Sequence, residues 1–142
     1  EKISPKPRIK YQLDITEDTL FIPTNAQYLT MVIEHLLNNA NKFTEEGFIA
    51  LGYKVNLSKN QICISVTDSG CGIPKEKQGL VFERFEKLNE NAQGTGLGLS
   101  ICQLIIEQLG GKIWIDSNYE EGARFLFTHP IYHEQQGKEE AE

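Results

Sequence analysis

An alternating apolar run, Ile62 to Val66, leads straight into Asp68-Ser69-Gly70-Cys71-Gly72-Ile73-Pro74. β-Branched residues at period two read as a strand over Gln61 to Thr67 with one face on a core. An acid then stands at the strand's end. Glycines at 70 and 72 permit a sharp turn and close backbone approach to a ligand. Any fold of this chain must therefore present Asp68 where a strand opens into a glycine turn. A second cluster, Gly94-Thr95-Gly96-Leu97-Gly98-Leu99, opens onto a helical pattern. The stretch between the clusters is long for a loop in a compact domain, and such length predicts an active-site lid or a disordered insert.

The rest of the chain supplies the frame. Pro5 and Pro7 mark a non-helical leader. Ile9 to Ile15 alternates as a strand, and Leu20 to Ile22 predicts a short second strand stopped near Pro23. Asn25 is placed to cap a helix. Leu29, Val32, Ile33, Leu36, Leu37 and Ala40 give that helix an apolar stripe as far as about Phe43. Gly47 releases the chain into a strand ending near Val55, and Leu57 to Gln61 is a hairpin connection. A short helix-like piece is expected around Leu80 to Phe85, before the polar run Asn89 to Gln93. Leu97 to Leu109 is helical and ends at Gly110-Gly111. Lys112 to Asp116 and Arg124 to Thr128 are closing strands joined by a turn containing Gly122. This order predicts an α+β fold, a two-layer α/β sandwich rather than a doubly wound sheet. No internal repeat is present.

Size and charge narrow the function. A chain of 142 residues suits one domain. No run approaches the twenty apolar residues that span a bilayer, so no membrane contact is expected of this piece. A net charge of -6 argues against nucleic acid as a partner. Part of that acidity lies in Glu134 to Glu142, so the folded domain is expected over 1–130 and a disordered polar tail over 131–142. Cys63, Cys71 and Cys102 are odd in number and form no CxxC pair. Free thiols in a reducing compartment are expected.

Three Asn among four residues, at 38, 39 and 41, cost helix propensity and point to use. The amide oxygen of Asn39 can hold a divalent metal, which then bridges phosphates. Lys42 lies three residues on and can address neighbouring space, or simply stand in solvent. Phe43 either stacks on a base or covers the core. His35, one turn before Asn39, faces the phosphates or serves as a structural histidine. The carboxylate of Asp68 can accept a hydrogen bond from an exocyclic amine, which adenine offers and guanine matches less well. Gly94, Gly96 and Gly98 precede a helix whose first amides can hold phosphate. Their spacing is neither GxxxxGK(S/T) nor that of a dinucleotide fold. Lys42, Arg84 and Lys87 are the cations at hand. His129 and His133 are expected to be peripheral, and no nucleophile–base arrangement stands out.

Together these segments resemble the ATP-binding catalytic domain of sensor histidine kinases, in the wider group shared with gyrase and Hsp90-type ATPases. His35-Leu36-Leu37-Asn38-Asn39-Ala40-Asn41-Lys42-Phe43 resembles the N box, and Asp68 to Pro74 the first glycine box. Phe82-Glu83-Arg84-Phe85 resembles the F box, and Gly94 to Ser100 the second glycine box. The likeness spans roughly Ile9 to Pro130 and implies a Bergerat-type fold, a mixed sheet packed against helices with an ATP lid. It implies ATP and Mg2+ as cofactors. Asn39 would coordinate magnesium, Asp68 would bind the adenine amine, and Ile73 would pack near the ring. Lys42 would contact phosphates with Phe43 near the base. Gly70 and Gly72 would shape the first loop. Gly94, Thr95, Gly96, Leu97 and Gly98 would shape the phosphate loop and lid hinge.

Two positions depart from the family pattern. The N box commonly opens with Asn where this chain has His35. A Gly-Thr or Gly-Ser before the last strand is here Gly122-Ala123. The resemblance implies γ-phosphoryl transfer to a histidine on a separate helical dimerisation domain, with onward transfer to a response-regulator receiver domain. This chain has no room for that helical domain, so by itself it is expected to bind ATP without phosphorylating itself. A cytoplasmic domain of a sensor protein, membrane-anchored or not, is the expected setting. The alternatives are a gyrase- or Hsp90-type ATPase, a protein-serine kinase or a degenerate binding module. The first wants an acid one turn before the metal Asn, where this chain has His35.

Overall fold

In the computed structural model, which describes residues 6–15, 24–82 and 98–131, the period-two segments within those bounds pair into one mixed sheet. Its strands are β1 (Ile9–Ile15), β2 (Gly47–Asn56), β3 (Gln61–Asp68), β4 (Ile113–Ile115) and β5 (Ala123–Pro130). They lie in the order β1-β2-β3-β5-β4. β1 runs parallel to β2, and every other pairing is antiparallel.

Register decides what each side chain faces. Ile64 pairs with Phe127, Val66 with Phe125 and Asp68 with Ala123. Alternation therefore puts Ile62, Ile64, Val66 and Asp68 on one face of β3. The first three are core residues. Asp68 inherits their inward direction and is only 5% exposed.

The helices cover that same face. Helix α1 (Ala26–Lys42) starts at Asn25, whose side chain accepts the Tyr28 N–H at 3.1 Å. Its stripe buries Val32, Leu36 and Ala40. The four-residue helix α2 (Lys75–Gln78) follows Pro74, and α3 (Gly98–Gln108) buries Cys102 and Ile106. α1 packs on β2 and β3, α3 on β4 and β5, and the two helices on each other. The last turn of α3 is closed by a bond from the Gly111 N–H to the Ile106 carbonyl, with Gly110 at φ +97°. Sheet on one side and helices on the other make the expected two-layer α+β sandwich.

Several expectations shift. A short helix comes at Lys75–Gln78, and residues 80–82 of the piece expected over Leu80 to Phe85 form a turn, the rest lying outside the described residues. Pro74 sets the start of the helix and four good helix formers fill it. Val81 and Phe82 are apolar because they pack: Val81 is buried, and the Phe82 ring meets Phe125 edge-on at 6.1 Å. His129 is not peripheral. It continues the inward row of Phe125 and Phe127 and is 2% exposed. Its Nε2 lies 2.7 Å from Thr24 Oγ1, so its burial is matched by a polar partner. Ile131, one residue past the expected boundary, is buried and bonds the Asn60 carbonyl. The Leu20 to Ile22 strand, most of the F box, His133 and the tail beyond Ile131 lie outside the described residues.

Candidate functional site

The end of β3, the last turn of α1, the glycine loop after Asp68 and the start of β5 enclose a cleft of about 260 Å³. Its walls are mostly apolar: Ala40 and Phe43 from α1, Ile73 and Pro74 from the loop, and Phe125 from β5. Polar groups are few. Asp68 lies on the sheet side, Asn39 on the helix side and Lys77 on α2. An apolar slot with a few convergent polar groups is the usual form of a small-molecule site.

Asp68 is held from two directions. Its Oδ1 accepts the Gly70 N–H at 2.8 Å and the Ala123 N–H at 3.2 Å. Both bonds fall on one oxygen, so Oδ2 carries the remaining accepting capacity. Burial pushes the Asp68 carboxyl above its usual range, and the two backbone donors only partly oppose that shift.

The loop lies this close to α1 because residue 70 has no side chain. A Cβ there would strike the Phe43 carbonyl, and it would stand 2.6 Å from Thr44 Oγ1. The Cys71 N–H then bonds the Phe43 carbonyl at 3.3 Å. Gly70 thus ties the end of the N-box helix to the loop that carries Gly72 and Ile73.

The structure brings Asn39, Phe43, Asp68, Gly72 and Ile73 to the cleft wall, with Gly70 behind them. Two other candidates stand elsewhere. Lys42 is exposed at the helix end, with its Nζ 6.0 Å from the Phe43 ring centroid. His35 lies against α3, where a Cβ on Gly98 would fall on its imidazole ring. It joins the N-box helix to the last glycine of the second cluster and is not among the cleft-lining residues. Gly94, Thr95, Gly96, Leu97, Arg84 and Lys87 lie outside the described residues.

Sequence reading missed Lys77, Ala123 and Phe125. The two lysines following Ile73-Pro74 were a visible signal for the first. Ala123 and Phe125 needed the β3–β5 register. Gly122-Ala123 lacks the hydroxyl common at that place, yet the backbone N–H of Ala123 bonds Asp68.

The residues fit a nucleotide with a divalent ion. Among the described residues no group of three or more His, Cys, Asp or Glu could hold a metal. Magnesium rarely needs such a cage, since it keeps waters and takes oxygens from phosphates. The half-buried Asn39 amide would add one oxygen to that set.

Comparison with known proteins agrees with this geometry. The profile of the histidine kinase-, DNA gyrase B-, and HSP90-like ATPase family matches residues 24–133. The adaptive-response sensory kinase SasA of Gloeothece citriformis is 38% identical over 127 residues, which are 87% of this chain and 32% of that protein. Its counterpart in Synechocystis is 37% identical over 130 residues, 89% of this chain and 34% of that protein. The chain thus spans about a third of the length of these curated relatives. Among solved structures, the catalytic domain of histidine kinase ThkA superposes with a TM-score of 0.77 at 34% identity, covering 87% of this chain and 80% of that one. Full-length ShkA in complex with AMPPNP gives a TM-score of 0.77 at 26% identity, covering 87% of this chain and 26% of that one. With its fold, N box and first glycine box in place, the chain belongs to the histidine kinase-, DNA gyrase B- and HSP90-like ATPase family, as a catalytic ATP-binding domain of the histidine kinase type.

Proposed function

We propose that this domain binds magnesium-ATP in the cleft and presents the γ-phosphoryl group to a histidine on a separate helical dimerisation domain. The observation that carries the reading is Asp68, a buried carboxylate with one oxygen pinned by backbone donors at the side of an apolar slot. Its Oδ2 accepts the exocyclic amine of adenine, while Ile73, Ala40 and Phe125 enclose the ring. Asn39 reaches the phosphate side. When bound, magnesium supplies neutralising charge to the phosphates.

Lys42, exposed beside Phe43 at the end of α1, contributes positive charge on the phosphate side. His35 steadies the first turn of α3 through Gly98. The chemistry left to the protein is mostly placement and electrostatics. The incoming histidine nitrogen forms the P–N bond as the bond to the β-phosphate oxygen breaks and ADP departs. The phosphoryl group then passes to an aspartate of a receiver domain. We place the domain on the cytoplasmic side of a sensor protein, with a folded unit that runs past the expected 1–130 to take in Ile131. No helix among the described residues is long and apolar enough to cross a membrane.

Titration calorimetry tests the binding half. ATP with magnesium is expected to bind, and GTP to bind far more weakly. No heat from a folded sample at millimolar ATP would sink the reading. The transfer half needs the helical domain of the parent protein added in trans. Acid-labile phosphate on that domain is the expected product, and transfer to serine would make the protein a serine kinase.

Thiol reactivity offers an independent check. Cys71 is exposed and lines the cleft, Cys63 is half-buried on the opposite sheet face, and Cys102 is 3% exposed. Burial pushes the Cys102 thiol up to about 12 and also raises Cys63. Iodoacetamide at pH 8 is expected to label Cys71 first and Cys102 last. Saturating magnesium-ATP is expected to slow labelling at Cys71 several-fold and leave Cys63 unchanged. Peptide mass spectrometry reads both, and equal labelling of Cys71 with and without nucleotide would count against the cleft.

A further inference from the structure

The end of β3 is also held from the sheet face that the helices leave uncovered. Arg124, the second residue of β5, points to that face. Its Nε donates to Thr67 Oγ1 at 3.1 Å, and its Nη1 donates to Asp116 Oδ2 at 3.3 Å. Its guanidinium carbon lies 4.3 Å from the centroid of the Tyr119 ring. That is close enough for a cation–π contact, and the planar group suits stacking. Thr67 directly precedes Asp68, and Ala123, the residue before Arg124, gives its N–H to Asp68 Oδ1.

Tyr119 closes the circuit. Its hydroxyl donates to the main-chain carbonyl of Asp68 at 3.1 Å. That carbonyl sits where β3 leaves the sheet, with the Gly122 backbone so near that a Cβ there would collide with it. A carbonyl enclosed in this way needs a donor, and the phenol supplies one. The turn before Tyr119 is itself fixed: the Asn118 N–H bonds Asp116 Oδ1 at 3.0 Å, and the Tyr119 N–H bonds the Asp116 carbonyl at 3.2 Å. One guanidinium therefore braces the turn, the phenol and the residue preceding the acid.

We infer that Tyr119, held in place by Arg124, is a positioning residue that aims the Asp68 carboxylate and thereby sets base selectivity in the cleft. The inference rests on the reading that Asp68 recognises the base. Its physical content is a fixed distance between two strand ends. Asp68 Oδ1 takes one donor from its own loop, Gly70, and one from β5, Ala123. Slippage between the end of β3 and the start of β5 breaks one of these bonds and lets the carboxylate rotate. The Tyr119 bond, reaching from the β4–β5 connection to the Asp68 backbone, resists that slippage.

The test is Tyr119→Phe, which removes the hydroxyl and keeps the ring under Arg124. In the folded domain the dissociation constant for magnesium-ATP is expected to rise about three- to tenfold, the range for one neutral hydrogen bond. GTP affinity stays nearly constant, so the ATP:GTP ratio narrows, and Arg124→Gln narrows it likewise. In an Asp68→Asn background Tyr119→Phe adds nothing, because the group it acts through is gone. The same loss in both backgrounds, or an unchanged ratio, overturns the inference. A second arm needs no nucleotide. In the amide NMR spectrum of the free domain, the Gly70 and Ala123 signals are expected to shift in Tyr119→Phe. If neither moves, Tyr119 does not position Asp68. Should the wild-type domain fail to bind ATP at all, the nucleotide reading falls with the selectivity claim, while the amide arm still decides whether Tyr119 positions the acid.

Discussion

Replacing Asp68 by asparagine is expected to weaken magnesium-ATP binding about a hundredfold and to raise the domain's thermal midpoint at neutral pH. The first effect follows from donors and acceptors. In the wild-type side chain Oδ1 is taken by Gly70 and Ala123, and Oδ2 is offered to the cleft. Asparagine keeps an oxygen for the backbone donors and turns its amino group to the cleft. There it meets the amine of adenine, donor against donor. Losing a hydrogen bond to a charged acceptor and stranding a donor costs about 3 kcal/mol, which is about a hundredfold. Guanine carries an acceptor at its six position, so GTP loses far less and selectivity falls toward unity.

The stability effect has the opposite sign. Burial raises the folded-state pKa of Asp68 above its unfolded value. The folded state therefore binds this proton more tightly than the unfolded chain does. Stability falls as pH rises through the unfolded pKa to the folded one and stays lowered above it. Asparagine does not titrate, so its advantage is present at pH 7 and fades once pH drops below the ordinary carboxylate range. Thermal melts of both proteins from pH 3 to 7.5, beside calorimetry with ATP and GTP, check both halves. ATP affinity within threefold of wild type would remove Asp68 from base recognition.

The most local features were the most legible. Asp68 could be placed from sequence because the alternation of Ile62, Ile64 and Val66 fixes which way the next residue but one points. Helix α1 was legible from its stripe and its Asn25 cap, and Asn39 from the run of amides that a helix does not favour. These are patterns within about a dozen residues of chain. Pairing is a different kind of information. The parallel β1–β2 pair and the insertion of β5 between β3 and β4 depend on contacts far apart in sequence, which no local period encodes. His129 shows the consequence. Read as lying beyond a last strand that ended at Thr128, it was expected to be peripheral, yet the β3–β5 register carries the strand on and turns it inward opposite Ile62.

The site divides the same way. Asn39, Asp68 and Ile73 stood in motifs, while Phe125, Ala123 and Lys77 reach the cleft only through tertiary packing. Lys42 shows the limit of proximity in sequence. Its spacing from Asn39 left open a turn toward neighbouring space or a place in solvent, and it stands exposed with its Nζ 6.0 Å from the Phe43 ring centroid, off the cleft lining. Tyr119 and Arg124 gave no sequence signal as a pair, because their partners, Thr67, Asp68 and Asp116, come from separate segments.

Asn39→Ala is expected to abolish the magnesium dependence of ATP binding and leave the fold intact. On the proposed reading the Asn39 amide oxygen would be what the described residues offer the ion, beside waters and phosphate oxygens. Without it, the ion gains nothing from entering the cleft with the nucleotide, so ATP affinity with magnesium drops to its value in EDTA. Adenosine carries no phosphate and is expected to bind both proteins alike, which separates loss of the ion from damage to the base pocket. The helix has no reason to suffer. Asn39 is half-buried beside the α1 stripe rather than on it, and alanine is the better helix former by roughly 0.5 kcal/mol. The thermal midpoint is therefore expected to hold or rise slightly. Lost ion dependence with undiminished stability is the signature of a residue kept for binding at the helix's expense. Calorimetry with ATP and adenosine, each with magnesium and with EDTA, gives the answer in one series. Magnesium dependence that survives the substitution would move the ion away from Asn39.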